Sequence, residues 1–277
     1  MLTQKIPKNI KSTFLYKKIR PYYRKLRIFI LSLKSHAKTK AFYAQNAHRV
    51  DVVEAMLEDE RSKRDFRGII QFRQSYHRKD FPPYVGETPQ YFIDEIKLGP
   101  DEVFVDCGAH IGTTIDDFLK RCPAYRHIVA FEPDAGNFAK LNRAHGNNPN
   151  ITLYNTGVYD TNGEVRFAAH ANASSQISDT GEESISVKTI DGLNLDNVTF
   201  LKMDIEGAEL KALNGAKTTI LRDKPKLAIC IYHSHEDMIR IAEYIHTLVP
   251  EYRLYVRHHA QYPLHFDTDT VLYAIMP

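Results

Sequence analysis

Asp106 and Glu132 each close an apolar run, Val103-Phe104-Val105 and Val129-Ala130-Phe131, and each opens a short loop ahead of a helix-forming stretch. Carboxylates in such places bind cations and hydroxyls. The first loop, Asp106-Cys107-Gly108-Ala109-His110-Ile111-Gly112, removes side chains at Gly108 and Gly112, where backbone approaches a ligand. A helix starting near Thr113 then aims free N–H groups at that ligand. The dinucleotide pattern G-x-G-x-x-G is not met, because a carboxylate precedes two glycines with three residues between them. A carboxylate there disfavours a pyrophosphate and favours a cationic group, such as the amino group of S-adenosylmethionine. Glu132, with Pro133 and Asp134 after it, suits the ribose hydroxyls of the same ligand. The plain alternative is that Asp106 caps a helix and Glu132 is solvated.

A second constellation lies later in the chain. Asp204-Ile205-Glu206-Gly207-Ala208-Glu209 follows the apolar run ending at Met203, and Gly207 permits a sharp turn into the next helix. Carboxylates there contact a cofactor, hold a divalent metal or take a proton from a hydroxyl; as helix-start acids, Glu209 and in part Glu206 are also explained by the dipole. His233 follows Leu227-Ala228-Ile229-Cys230-Ile231-Tyr232, where an imidazole of near-neutral pKa suits a general base, or a structural role. His233 and His235 lack the further His or Cys that a zinc site needs. His258, His259 and His265 lie on a late hairpin and are candidates for the acceptor pocket. Phe81-Pro82-Pro83-Tyr84 resembles the signature of base-amine methylation, but Phe81 cannot accept a hydrogen bond from an amine, so this stretch reads as a linker.

The elements that must position these residues follow from periodicity. Apolar residues from Val50 to about Arg73 recur at helical spacing, as two helices or one broken one, and Tyr91–Leu98 is expected to form a short helix before Gly99-Pro100. From there strand-like runs alternate with helical patterns: strands at 103–105, 128–131, 151–154, 199–203 and 226–232, helices at 113–121, 135–145, 207–221 and 236–248. That alternation predicts a parallel sheet, closed by antiparallel strands near Tyr252–Arg257 and Thr270–Ile275. Hairpin signals at Asn162-Gly163, Ser174-Ser175 and Thr180-Gly181 mark an insertion over Val165–Val187 near the ligand. Ligands of such sheets bind beyond the carboxyl ends of the strands, which is where both constellations fall. Gly157 and Val158, after the third strand, are assigned to the adenine side.

The 277 residues, 43% hydrophobic, suffice for a substantial core. The longest N-terminal apolar run, Ile28–Leu33, is far below the roughly 18–20 residues of a membrane span. Three cysteines make no even disulfide set and no zinc spacing, which points to a reducing compartment, the cytoplasm. The net charge of +3 hides an asymmetry. Residues 1–50 carry 13 Lys or Arg and no Asp or Glu, while the remainder carries 24 against 34. The expected organisation is a basic helical arm (1–49), a helical lead-in (50–98) and a catalytic domain (99–277). Phe14, Leu15, Tyr16, Tyr22 and Tyr23 interleave with the arm's basic residues, which suits packing on the body or on a second subunit, or peripheral binding to an anionic membrane surface. Nucleic acid ranks last among these.

With these residues in hand, residues 100–277 resemble the FkbM-type S-adenosylmethionine-dependent methyltransferases. The resemblance rests on VFVDCGAHIG (103–112), VAFEPDAGNFAKLNRAH (129–145), VTFLKMDIEGAELKALNGA (198–216) and LAICIYHSHEDM (227–238), in that order. It implies a Rossmann-like class I methyltransferase sheet and methyl transfer to a hydroxyl of a sugar, glycan or other biosynthetic intermediate, leaving S-adenosylhomocysteine. Asp106, Cys107, Gly108, Ala109, His110, Gly112, Glu132, Pro133, Asp134, Gly157 and Val158 are then expected to hold the cofactor. His233 is the first candidate for catalytic base and Asp204 the second. Magnesium held by Asp204 and Glu206 is a weaker expectation. The rival readings are a catalytically silent scaffold or membrane adaptor, and a nicotinamide-dependent dehydrogenase whose glycine pattern this loop lacks. The helical lead-in also suits a homodimer.

Overall fold

The structure, a computed structural model, describes residues 36–75, 77–82, 89–168, 176–177, 183–260 and 269–277. The greater part of the basic arm, the hairpin signals Ser174-Ser175 and Thr180-Gly181, and His265 therefore lie outside the described residues. Helical residues 36–45 lead into α1 (Ala47–Met56) and α2 (Glu60–Ser75), the two helices expected of the lead-in.

A seven-stranded sheet follows, in the order β10-β11-β9-β8-β1-β2-β3. Its parallel part is β1 (Val103–Cys107), β2 (His127–Phe131), β3 (Ile151–Tyr154), β8 (Phe200–Met203) and β9 (Lys226–Cys230). The antiparallel β11 (Thr270–Ile275) is inserted between β9 and β10 (Arg253–His258). The expected mostly parallel sheet with an antiparallel C-terminal hairpin is thus observed.

These strands are buried on both faces, and alternate residues supply two apolar layers. Val103, Val105 and Cys107 of β1 join Leu201, Met203 and Ile229 on one face. Phe104 joins Phe118, Phe200 and Tyr273 on the other, its ring stacked at 4.7 Å on Phe118 and 4.9 Å on Phe200. Helices α3 (Thr113–Arg121) and α4 (Ala135–His145) supply Ile115, Phe118 and Leu141 to the Phe104 layer. α7 (Asp237–Leu248) supplies Met238, Ile239, Ile241 and Ile245 to the opposite one.

The lead-in is part of this packing. Leu57 bridges Leu254 in parallel and Glu58 N–H donates to the Leu254 carbonyl, so the chain between α1 and α2 partners the sheet edge at β10. Val50, Val53, Phe66, Ile69 and Ile70 are buried with the sheet's own core.

Two helical expectations are corrected. Residues 91–98 form separate turns rather than a helix. Tyr91, Phe92 and Ile93 are all buried, and three consecutive residues cannot share one face of a helix. The helix expected over 207–221 is two, α5 (Glu209–Asn214) and α6 (Lys217–Asp223). They break at Gly215, where a Cβ would lie 2.0 Å from the Tyr159 carbonyl oxygen. The expected insertion forms a small second sheet, β4 (Gly157–Val158), β7 (Glu183–Lys188), β5 (Gly163–Ala168) and β6 (Gln176–Ile177), in that spatial order.

Candidate active site

The strand order reverses between β1 and β8, and a cavity of about 940 Å³ opens beyond their carboxyl ends. That is the switch-point crevice of an open α/β sheet, and the volume lies within the roughly 300–1,000 Å³ range of small-molecule sites. Gly108, Ala109 and His110 line it from β1, Glu132, Pro133 and Asp134 from β2, and Gly157 and Val158 from β4. Asp204, Ile205, Glu206 and Ala208 line it from the turn after β8. Gln90, Tyr91 and Phe92 come from the connector, and Ser184, Ile185 and Val187 from the second sheet.

Asp106, Cys107 and Gly112, assigned to the cofactor from sequence, are not among the lining residues. Asp106 lies inside β1 rather than in the loop and is fully buried, its Oδ1 2.9 Å from Lys202 Nζ. Lys202 is its cross-strand neighbour in register, donates also to the Gly108 carbonyl at 2.8 Å, and itself lines the cavity. Burial works against the Lys202 charge, but the Asp106 and Asp204 carboxylates outweigh it and hold the ammonium up at about 12. Cys107 belongs to the core, and burial pushes its thiol up.

The glycines also serve the protein more than a ligand. Gly108, with φ +83°, lets β1 pass the end of β8, since a Cβ would lie 2.0 Å from the Asp204 carbonyl oxygen. Gly112, with φ +100°, admits His145 of α4, whose Nε2 would lie 2.6 Å from a Cβ. The loop N–H groups are likewise mostly consumed. Gly108 and Ala109 donate to the Phe131 carbonyl, Gly112 to the Ala109 carbonyl, and His110 to Glu132 Oε2 at 2.9 Å.

Glu132 ties the two loops together, because its Oε1 accepts from Asp134 N–H at 2.9 Å. Each oxygen thus has one backbone donor, and its second lone pair is available to a ligand hydroxyl. Asp134 caps α4 by accepting from Asn137 N–H at 2.7 Å.

Asp204 is held by two phenols. Tyr91 OH donates to its Oδ2 at 2.8 Å and Tyr232 OH to its Oδ1 at 3.0 Å. Burial would raise its pKa, but Lys202, His233 and these hydrogen bonds outweigh it and keep the carboxylate below the ordinary range. His233 lies outside the cavity lining, with Glu209 Oε1 3.0 Å from Nδ1, and Asp204 Oδ1 at 3.5 Å and Glu206 Oε2 at 3.7 Å from Nε2. Burial works against its charge, yet Glu209, Asp204 and Glu206 together raise it to about 8. Three carboxylates thus surround His233 and favour its protonated form.

Asp204, Glu209 and His233 each offer an atom within 4.8 Å of the others, a grouping different from the Asp204–Glu206 pair expected for magnesium. The imidazolium already supplies the counter-charge, and the magnesium expectation gains no support.

The profile described as the methyltransferase FkbM domain matches residues 106–262. The chain belongs to the FkbM methyltransferase family. The crystal structure of the FkbM methyltransferase from Methylobacillus flagellatus KT aligns with a TM-score of 0.72 at 28% identity, covering 85% of this chain and 60% of that one. The present chain thus spans less than two thirds of that relative. An rRNA methylase from Streptococcus thermophilus aligns at a TM-score of 0.42 and 16% identity, over 65% of this chain and 90% of its own. No curated protein matches.

Within this FkbM methyltransferase domain, several residues that bear on the site escaped sequence reading. Lys202 left a signal, a lysine inside the otherwise apolar run Phe200–Met203. Tyr91 left none, since its segment reads only as a short helix before Gly99-Pro100. His258 and His259 do not join the site. His258 bonds Thr270 and packs on Phe81, and His259 bonds the Tyr273 hydroxyl at 2.8 Å. Arg73 of α2 reaches the loop after β9 instead, donating to the Tyr232 carbonyl at 2.7 Å and the Ser234 carbonyl at 3.3 Å. No helix among the described residues is long and apolar enough to cross a membrane.

Proposed function

We propose that this protein transfers the methyl group of S-adenosylmethionine to a hydroxyl of a sugar, glycan or related biosynthetic intermediate. The carrying observation is the pair of hydrogen-bonded carboxylates, Glu132 and Asp204, that both line one crevice in an FkbM methyltransferase domain. Glu132 has a lone pair on each oxygen for ribose hydroxyls, while Gly157 and Val158 give the adenine an apolar wall without bulk. Asp204, kept ionised, matches a cationic donor, and Lys202 cancels the Asp106 charge beneath it. When bound, the cofactor supplies an electrophilic methyl group on a sulfonium. The chain's own work is to hold the acceptor oxygen in line and to receive its proton.

Calorimetric titration with S-adenosylhomocysteine, with NAD as control, tests the cofactor. Binding at micromolar affinity that weakens at least tenfold in Glu132→Ala is expected. Folded protein that binds NAD, or neither ligand, would overturn the reading in favour of a dehydrogenase or a silent scaffold.

A further inference from the structure

Of the two residues favoured from sequence as bases, His233 lies outside the cavity lining and Asp204 is held by two phenols, while a further carboxylate, Glu206, also lines the cavity. Glu206 lines the cavity with its side chain 47% exposed, and it adopts φ +58° although it carries a Cβ. A non-glycine residue in that region is strained, and such strain concentrates at functional sites. Here it is imposed from both sides. Ile205 N–H is bound to Glu209 Oε1 at 2.8 Å, and Gly207 continues the turn at φ +94°. The turn leaves Glu206 on the cavity while Glu209, three residues on, is fully buried.

Asp204 also lines the cavity, but Lys202, His233 and the two phenol hydrogen bonds hold its pKa below the ordinary range, which makes it a weaker proton acceptor than Glu206. His233 lies outside the lining, with both ring nitrogens turned to the carboxylates of Glu209, Asp204 and Glu206 rather than to the cavity. Glu206 accepts no hydrogen bond from a described residue, and its nearest ionic partner is the His233 imidazole at 3.7 Å. The charged groups facing it are His233 on the loop after β9, Asp204 after β8 and Glu209 of α5. Burial raises its carboxyl above the ordinary range, only partly offset by the imidazolium.

We propose that Glu206 is the catalytic residue that takes the proton of the acceptor hydroxyl, with His233 as its counter-charge and Glu209 as the positioning residue of His233. The inference rests on the hydroxyl-methylation reading. In the step, the acceptor O–H bond breaks and its proton passes to a Glu206 oxygen. The acceptor oxygen forms the new O–CH₃ bond as the S–CH₃ bond breaks, and that electron pair stays on sulfur as a neutral thioether.

The test is transfer of label from S-adenosyl-[methyl-³H]methionine by the full chain. The probes are methyl α-D-mannopyranoside, methyl α-L-rhamnopyranoside and UDP-glucose. Glu206→Gln is expected to lower kcat at least about 100-fold, to bind S-adenosylhomocysteine within threefold of wild type, and to lose the acidic limb of the pH profile. Glu206→Asp should recover part of the rate, and His233→Gln should move the acidic limb to higher pH. Glu206→Gly suits the backbone and separates loss of the carboxylate from failure to fold. Turnover within threefold of wild type in folded Glu206→Gln or Glu206→Gly would overturn the inference while leaving the methyltransferase reading intact. A wild-type chain that binds S-adenosylhomocysteine yet labels none of the three probes would overturn the hydroxyl reading, and this inference with it.

Discussion

Lys202 Nζ lies 2.9 Å from Asp106 Oδ1 on adjacent parallel strands, and neither side chain is appreciably exposed. A buried pair of this kind contributes little against a matched apolar pair, but removing one partner strands the other charge. Lys202→Met is therefore expected to destabilise the fold by about 3–5 kcal/mol, and Asp106→Leu by a similar amount. The double variant should recover much of the loss. Urea denaturation of the full cycle measures the coupling, and additive losses would mean that the two charges are independent.

His233 makes stability depend on pH with a definite sign. Its folded pKa, about 8, is above the ordinary 6.5, so its contribution is complete below about pH 6.5 and is lost as pH rises through 8. The size is on the order of 2 kcal/mol. Comparing chemical denaturation at pH 6 and pH 9 should show this loss in wild type and its near absence in His233→Gln. Glu209→Gln should reduce it too, because the Glu209 carboxylate lies 3.0 Å from Nδ1. An unchanged pH slope in His233→Gln would assign the dependence elsewhere.

Arg73 links the N-terminal helices to the loop that carries His233. Its two bonds to the Tyr232 and Ser234 carbonyls are joined by Thr39 Oγ1, 2.9 Å from His235 Nε2. Lysine has a single donor centre and cannot reproduce the fork of a guanidinium. Arg73→Lys is expected to cost about 1–3 kcal/mol and Arg73→Ala somewhat more, with kcat falling further than cofactor affinity. Thermal unfolding alongside S-adenosylhomocysteine titration checks this. Equal losses of turnover and affinity would place the effect on the whole cavity rather than on the loop.

The sheet was legible because parallel strands buried on both faces leave uninterrupted apolar runs, as at Val103–Val105 and Leu227–Ile231, each followed by polar residues at its carboxyl end. The same rule points to Glu132 and Asp204, and both line the cavity. Register was not legible. Nothing in the spacing of Asp106 and Lys202 says that they face one another across β1 and β8, so Asp106 was assigned to a ligand it does not face. The carboxylate surroundings of His233 are hidden for the same reason. Its three carboxylate neighbours come from the turn after β8 and from α5, and only the assembled fold raises its pKa above that of an ordinary imidazole. Tyr91 was hidden because its buried neighbours are consecutive and show no period.

Gly108 offers the sharpest test of how tightly the cavity is built. Its φ of +83° disfavours any L side chain, and an added Cβ would meet the Asp204 carbonyl oxygen at 2.0 Å, a backbone atom that cannot swing aside. Gly108→Ala must therefore part the ends of β1 and β8, carrying Asp204 and the turn to Glu206 away from Glu132. At Gly99, by contrast, a Cβ meets nothing within 4 Å, and Gly99→Ala controls for the loss of a glycine alone. Gly108→Ala is expected to weaken S-adenosylhomocysteine binding at least tenfold, about 1.4 kcal/mol, and to lower stability by a few kcal/mol, while Gly99→Ala stays within about 0.5 kcal/mol of wild type. Calorimetry and denaturation on both variants decide it. If Gly108→Ala loses stability but keeps full affinity, the ligand does not span the walls that Asp204 and Glu132 form.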